Sequence, residues 1–206
     1  MLDLFQKGGP VMYPLLLCSL AALTVIIERM IFWARERGRR DQKLVDEILE
    51  LAERNDYNEA ARLGSASGDS VARILVCGIA HRNFSLNSAL KMAAAVEIKR
   101  MKRFMSVLDT MVTVSPLLGI FGTVTGIIRA FEAMGGSGAQ NPIAVSTGIA
   151  EALVTTATGL MIAIPSVAFF NYFNSRIEDA VHEIETYSTS LEIVFEKGKP
   201  GNGSER

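Results

Sequence analysis

Three long apolar stretches alternate with charged blocks along the 206-residue chain. The first runs over residues 10–33, the second over 105–132 and the third over 148–173. A helix of about 20 apolar residues crosses the hydrocarbon core of a bilayer, so each stretch is long enough to span it. The pattern therefore predicts an all-α integral membrane protein with three transmembrane helices.

Basic residues cluster at one end of each stretch, and Lys7 is the single basic residue that precedes the first. The clustered residues are Arg29, Arg35, Arg37, Arg39, Arg40, Lys99, Arg100, Lys102, Arg103 and Arg176. Residues 133–147, between the second and third stretches, contain no lysine or arginine. By the positive-inside rule, residues 1–9 and this short loop are extracytoplasmic, whereas 34–104 and 174–206 are cytoplasmic.

The cytoplasmic segments also have helical periodicity. In DQKLVDEILELAER the acids oppose one apolar face, made of Leu44, Ile48, Leu51 and Ala52. Asp41 is a candidate N-cap for this helix, and NEAARL and SVARILVCGIAH predict two more. We therefore expect a helical cytoplasmic domain.

Two of the membrane helices are predicted to extend into that domain. No helix-breaking signal separates the charged residues after Leu86 from the second apolar stretch, which predicts one helix from Leu86 to Phe131. The third helix is expected to continue to about Phe195. The final residues, KGKPGNGSER, have the composition of a disordered tail.

Composition excludes several classes of function. The net charge is −1 and no basic patch is interleaved with aromatic residues, so a nucleic-acid partner is not expected. Only two cysteines and two histidines are present, which is too few for a disulfide framework or a metal-ligand cluster. No nucleotide-binding or hydrolase motif is present, and we expect neither a cofactor nor enzymatic activity.

The second stretch contains a stripe of small residues at three- and four-residue spacing. Its members are Ser115, Gly119, Gly122, Gly126 and Ala130. Such a stripe is typical of close packing between membrane helices, and we assign Gly119, Gly122, Gly126 and Gly159 to packing. Pro116 and Pro165 should locally loosen backbone hydrogen bonding within their helices.

Polar residues inside the third stretch need a separate explanation. Glu151, Thr155 and Thr158 share one side of the predicted helix, and Thr156 lies beside them. A lone membrane threonine usually bonds to a carbonyl of its own helix, and an acid at a helix start can act as a cap or contact headgroups. The alternative is an ion path, because acids within spans normally face a cavity or a partner.

An ion path made by this chain alone would have a gap. Asp109 lies near the cytoplasmic boundary and Glu151 near the outer one, and about 20 Å of membrane between them contains no acid or histidine. Threonine hydroxyls cannot store a proton. If the ion is H⁺, a second protein must supply the central carrier.

Two motifs give a specific resemblance. SPLLGIFGTVTGIIRAF followed by GIAEALVTTATGLMIAIPSVAFFNYF resembles the paired signature of the MotA/TolQ/ExbB proton channel family, and three spans resemble its ExbB/TolQ branch. The resemblance implies a bacterial inner-membrane protein that forms a ring, a homopentamer. The ring would enclose an ExbD/TolR-like single-span partner whose membrane aspartate carries the proton.

The same resemblance implies residue roles. Thr123 and Thr156 match the family's threonines on its second and third spans, and Glu151 matches its acid on the third span. Thr155 and Asp109 are additional candidates without that support. Pro116 and Pro165 match family prolines, for which a structural role is expected.

The function implied is that of an ExbB-like subunit that uses the proton motive force to energise outer-membrane transport through a TonB/TolA-like protein. A TolQ-like subunit for envelope integrity and a non-conducting helical membrane scaffold are the alternatives. Threonine oxygens also suit Na⁺, so the residues alone leave H⁺ and Na⁺ both open. They likewise do not identify the receptor that is energised.

Overall fold

The computed structural model describes residues 8–137 and 142–198 of the chain, and within these ranges all regular secondary structure is helical. The helices are α1 (Met12–Arg39), α2 (Gln42–Glu53), α3 (Tyr57–Ser65), α4 (Ser70–Ala80), α5 (Arg82–Met101), α6 (Met105–Ser137) and α7 (Pro142–Gly198).

Three segments are long and apolar enough to cross a membrane. They are α1, the segment Arg82–Met134 that contains α5 and most of α6, and the Val145–Lys197 part of α7. Their mean hydropathy over an 18-residue window is 2.1, 1.8 and 1.8. The prediction of an all-α membrane protein with three spanning helices is therefore confirmed. The ring of identical subunits stays a prediction.

The single helix expected from Leu86 to Phe131 is wrong. The backbone leaves the helical conformation between α5 and α6, and Phe104 adopts a left-handed conformation with φ 63°. A left-handed phenylalanine is uncommon, and neither glycine nor proline marks the position. The expected start of that helix is close to the observed one, since Ser85 is extended (φ −163°) and regular helix follows it.

The ends of the helices also differ from the predicted boundaries. α6 continues to Ser137 and α7 already begins at Pro142, so most of the loop predicted over residues 133–147 is helical. Its centre, 138–141, lies outside the described residues. The same holds for residues 1–7 and for 199–206, most of the segment predicted to be a disordered tail.

The chain divides into two compact units. One contains the described residues of 8–30 and 104–173, and we call it the membrane unit. The other contains residues 31–103 and 174–198, and we call it the helical block. The side of the membrane on which each terminus lies stays a prediction.

Within the membrane unit, the start of α1 packs against the other two helices. Val11, Met12 and Leu15 are buried and contact Leu118 of α6 and Ile162 of α7. Many remaining apolar side chains of this unit are exposed, as expected for helices that face lipid. This packing brings Gly9, just before α1, close to the second half of α6 and the first turns of α7.

The helical block begins three of its helices with aspartate caps. Asp41 accepts a hydrogen bond from the Leu44 amide, as predicted from the sequence, and Asp56 caps α3 in the same way. Asp69 caps α4 by accepting from the Val71 and Ala72 amides. The apolar core beneath these caps includes Val45, Ile48, Ala60, Ile74, Leu75 and Ile79.

Candidate functional site: the seam between α6 and α7

Glycines let the backbones of α6 and α7 approach closely, and we call their line of contact the α6–α7 seam. A methyl group on Gly119 would lie 3.1 Å from the carbonyl oxygen of Thr155, and one on Gly126 would lie 2.8 Å from that of Gly148. On α7, a methyl group on Gly159 would lie 2.5 Å from the carbonyl oxygen of Ser115. The assigned packing glycines therefore face the opposite helix, and Gly148 is an additional member that the sequence did not indicate.

This close approach brings two threonine hydroxyls together. Thr156 donates a hydrogen bond across the seam to the carbonyl oxygen of Gly119, at 3.0 Å. Its hydroxyl also lies 3.4 Å from that of Thr123, which donates to the Ile120 carbonyl at 2.5 Å. Both threonines are half-buried. A hydroxyl can both donate and accept, so this pair can contact a carboxyl group in either protonation state.

Thr155 and Thr158 differ from Thr156 although they are its near neighbours. Thr155 is fully buried against Gly122 and donates to the Ala152 carbonyl at 2.9 Å. Thr158 donates to the Val154 carbonyl at 2.8 Å. Both therefore show the usual bonding of a membrane threonine to its own helix. The structure does not bring Thr155 to the Thr123–Thr156 pair, and a role of Thr155 in an ion path stays a prediction.

Glu151 is held by an arginine that the sequence did not single out. Its Oε1 accepts a hydrogen bond from Nη1 of Arg129 on α6 at 2.5 Å, and its side chain is 12% exposed. α7 begins at Pro142, so Glu151 lies well inside the helix. The alternative in which it caps the helix start is therefore wrong.

The residues before α1 cover this ion pair. A methyl group on Gly9 would overlap the Glu151 carboxylate and lie 3.1 Å from Nη1 of Arg129. Gly9 also has φ 63°, a left-handed conformation that favours glycine. The sequence contained one indication of the Arg129–Glu151 ion pair, because Arg129 is the only basic residue in the second apolar stretch.

Asp109 and the two prolines lie away from the paired hydroxyls. Asp109 is exposed on α6, about 21 Å before Thr123 at 1.5 Å per helical residue. Pro116 is half-buried within α6 and Pro165 is exposed within α7, and both helices continue through them. The structure thus places Asp109 at the opposite end of the apolar part of α6 from Arg129.

The seam offers oxygen atoms and one ion pair rather than a metal site. Across residues 8–137 and 142–198, no group of three or more histidines, cysteines or acids is arranged to hold a metal ion. The available chemistry is therefore hydrogen bonding by the hydroxyls of Thr123 and Thr156.

Comparisons with known proteins agree with this geometry. The model of the MotA/TolQ/ExbB proton channel family matches residues 68–186, which include the whole seam. A protein of Synechocystis sp. named "Putative biopolymer transport protein ExbB-like 3" is 37% identical over 199 residues, covering 93% of each chain.

Two further relatives carry related names. "Biopolymer transport protein ExbB" of Neisseria meningitidis is 28% identical over 92% of this chain and 94% of its own. "Tol-Pal system protein TolQ" of Haemophilus influenzae is 33% identical over 66% of this chain and 58% of its own. The chain therefore belongs to the MotA/TolQ/ExbB proton channel family, and its most fully covered relatives are of the ExbB type.

Proposed function

We propose that this protein is the ion-conducting subunit of an inner-membrane motor that uses the proton motive force, with an ExbD/TolR-like partner, to energise outer-membrane transport. The observation that carries the proposal is the hydroxyl pair of Thr123 and Thr156. Thr156 bonds across the seam instead of to its own helix, so its hydroxyl and that of Thr123 occupy one place between two helices.

The partner is needed because the seam cannot store a proton. Neither an acid nor a histidine lies between Asp109 and Arg129 on α6, or between Glu151 and Arg176 on α7. An aspartate on a single-span partner would supply the missing carrier and would meet the hydroxyls on its way. In low dielectric the neutral carboxylic acid is favoured, which allows it to pass apolar residues such as Ile120 and Ile127.

The subunit is proposed to form a homopentamer around that partner, with the N-terminus periplasmic and the C-terminus cytoplasmic. Glu151 and Arg129 would lie at the outer end of the path and Asp109 at the cytoplasmic end. The basic residues on one side of every span support this orientation.

The first test compares Thr156→Ala with Thr158→Ala. The complex is purified with its co-expressed partner, reconstituted in vesicles and driven by a potential of about 100 mV, which supplies about 2.3 kcal/mol per charge. Thr156→Ala should lower proton flux roughly tenfold or more, because the passing carboxyl group loses a hydrogen-bond partner. Thr158→Ala should conduct normally, since its hydroxyl bonds only to its own helix.

Assembly must be measured on the same samples. Native mass spectrometry should show the same subunit count and the same bound partner for both variants. Full flux in an intact Thr156→Ala complex would refute the role of the hydroxyl pair.

Glu151 has a separate test. Glu151→Gln should keep the complex assembled and lower flux, because the outer end of the path loses its acid. Glu132→Gln, which changes an exposed acid on α6, is the control and should conduct normally. Equal flux in both variants would leave Glu151 as a packing partner of Arg129 only.

A helical scaffold without conduction is the second candidate, because the glycine contacts of the seam would serve packing equally well. In that case Thr156→Ala would be silent, whereas a bulky residue at Gly122 would still prevent assembly. A TolQ-like role would instead appear in cells as loss of envelope integrity with outer-membrane uptake unchanged.

A further inference from the structure

A polar cavity of about 140 Å³ lies within the helical block. Its walls include the indole of Trp33, three arginines and four carboxylates. Trp33 lies at the end of the first apolar stretch and Arg176 directly follows the third. Tryptophan and arginine are the residues that typically sit at the membrane interface, at the level of lipid headgroups.

Two buried donors in this wall lack acceptors. Trp33 is 8% exposed, and its Nε1 finds no hydrogen-bond partner within the described part of the chain. The same is true of Nε of Arg176, whose guanidinium lies 5.7 Å from the centre of the Trp33 ring. A buried donor without an acceptor is unfavourable, so these two donors favour the binding of a group rich in acceptor oxygens.

Part of the charge in the wall is already neutralised within the protein. Arg40 forms ion pairs with Glu183 and Asp69, and Asp69 also accepts from three backbone amides. Arg176 forms an ion pair with Asp179, at 3.9 Å between Nη1 and Oδ2, and Glu36 attracts Arg73 electrostatically. Within the described part of the chain, the side chains of Arg37 and Glu36 form no hydrogen bond or close ion pair. The wall as a whole has one more carboxylate than guanidinium groups, which disfavours a purely anionic ligand.

We propose that this cavity binds the headgroup of a phospholipid that carries both a phosphate and a primary ammonium group. The phosphate would accept hydrogen bonds from Trp33 and Arg176, with Arg37 nearby. The ammonium would donate to Glu36. The volume fits a phosphate with a short aminoalkyl group, while the acyl chains lie outside in the bilayer. This site is independent of the α6–α7 seam.

The chain has a single tryptophan, so its fluorescence reports directly on this site. The full-length protein in an uncharged detergent is titrated with short-chain phosphatidylethanolamine, phosphatidylcholine and phosphatidylglycerol. Trp33 emission should change with phosphatidylethanolamine at a concentration about tenfold lower than with either other lipid. Phosphatidylcholine is the sharpest comparison, because its quaternary ammonium cannot donate a hydrogen bond to Glu36.

Three variants locate the binding. Arg176→Gln should weaken phosphatidylethanolamine binding about tenfold, and Glu36→Gln should abolish the preference over phosphatidylcholine. Arg35→Gln, an exposed position of the same helix outside the cavity wall, is the control and should bind as the wild type does.

Other outcomes would overturn the proposal. Equal binding of the three lipids by the unmodified protein would do so without any variant, even if Arg176→Gln failed to fold. An equal response to inorganic phosphate alone would indicate a simple anion site instead. A response to free glycerophosphoethanolamine as strong as to the lipid would indicate a soluble ligand.

Discussion

The α6–α7 seam and the helical block hold their helices together in different ways. At the seam, glycines allow backbone-to-backbone contact, and Thr156 bonds to a carbonyl of the neighbouring helix. In the helical block, aspartates cap helix starts, apolar side chains form the core, and Arg73 forms an ion pair with Glu97.

The difference follows from the two solvents. Lipid tails are as apolar as leucine, so apolar side chains give membrane helices little reason to associate, and close approach decides which faces meet. In water, burial of apolar side chains supplies most of the driving force. A larger side chain should therefore lower the stability of the fold most at the seam. Loss of a polar side chain should lower stability most in the helical block.

The largest effect is expected from Gly122→Leu. A side chain at Gly122 would collide with Thr155, which is itself fully buried. Overpacking of this kind typically destabilises by about 1–3 kcal/mol, and here it would also separate the two hydroxyls. Thermal melting in detergent should show a strong loss of stability, together with loss of the proposed oligomer.

Gly38→Leu is the matched control, because a side chain at Gly38 meets nothing within 4 Å. It should leave melting temperature and oligomer unchanged. Similar losses of stability in both variants would mean that a larger side chain is no more harmful at the seam than on an open helix surface.

An intermediate effect is expected from Asp69→Ala in the helical block. Asp69 is 1% exposed and accepts hydrogen bonds from the amides of Val71, Ala72 and Asp41. Loss of an N-cap side chain lowers the free energy of unfolding by about 0.5–2 kcal/mol. For Asp69→Ala we expect a value at the upper end of this range, because buried amides lose their acceptor. Asp56→Ala, at an exposed cap, should cost about 1 kcal/mol. Chemical denaturation of both variants measures the two losses in the free energy of unfolding.

Asp69→Asn sharpens this comparison. It keeps one acceptor oxygen in place and should recover part of the lost stability. If Asp69→Ala cost no more than Asp56→Ala, burial would not set the strength of these caps.

The smallest effect is expected from the Arg73–Glu97 ion pair, at about 0.5 kcal/mol. The hydrogen bond that the Arg73 guanidinium donates to the Glu97 carboxylate raises the pKa of Arg73. A basic group with a raised pKa contributes its full stabilisation below its unfolded pKa, which for arginine lies far above neutral pH, as long as its carboxylate partner is ionised. The stabilisation through Arg73 should therefore not change between about pH 6 and pH 9.

A double-mutant cycle with Arg73→Gln and Glu97→Gln measures this coupling. It should be the same at both pH values and smaller in about 1 M salt, where charges on the surface are screened. A coupling that fell on raising the pH would contradict the assignment of the effect to the arginine.

Features with a local cause were predictable from the sequence. The three apolar stretches, the glycine stripe and the Asp41 cap each follow from residue types at fixed spacing within one segment. The resemblance to known motifs added Thr123, Thr156 and Glu151, which the structure places on the facing parts of α6 and α7.

Features that depend on how two helices are rotated against each other were not predictable. Thr155 and Thr156 differ by one residue, or about 100° around the helix, and only the contact with α6 makes one buried and the other a cross-seam donor. The Arg129–Glu151 pair joins residues 22 apart on different helices. The break after Met101 has no glycine or proline to announce it.

Thr156 donates its cross-seam hydrogen bond to a main-chain oxygen, that of Gly119. The two positions of this contact are therefore constrained by different properties of the side chain. Every amino acid at position 119 would present the same carbonyl, so a codon-randomised library at that position should be filtered by side-chain volume alone. A library at position 156 should instead retain serine beside threonine, since a hydroxyl of that length is needed. One contact thus leaves a steric constraint on α6 and a chemical constraint on α7.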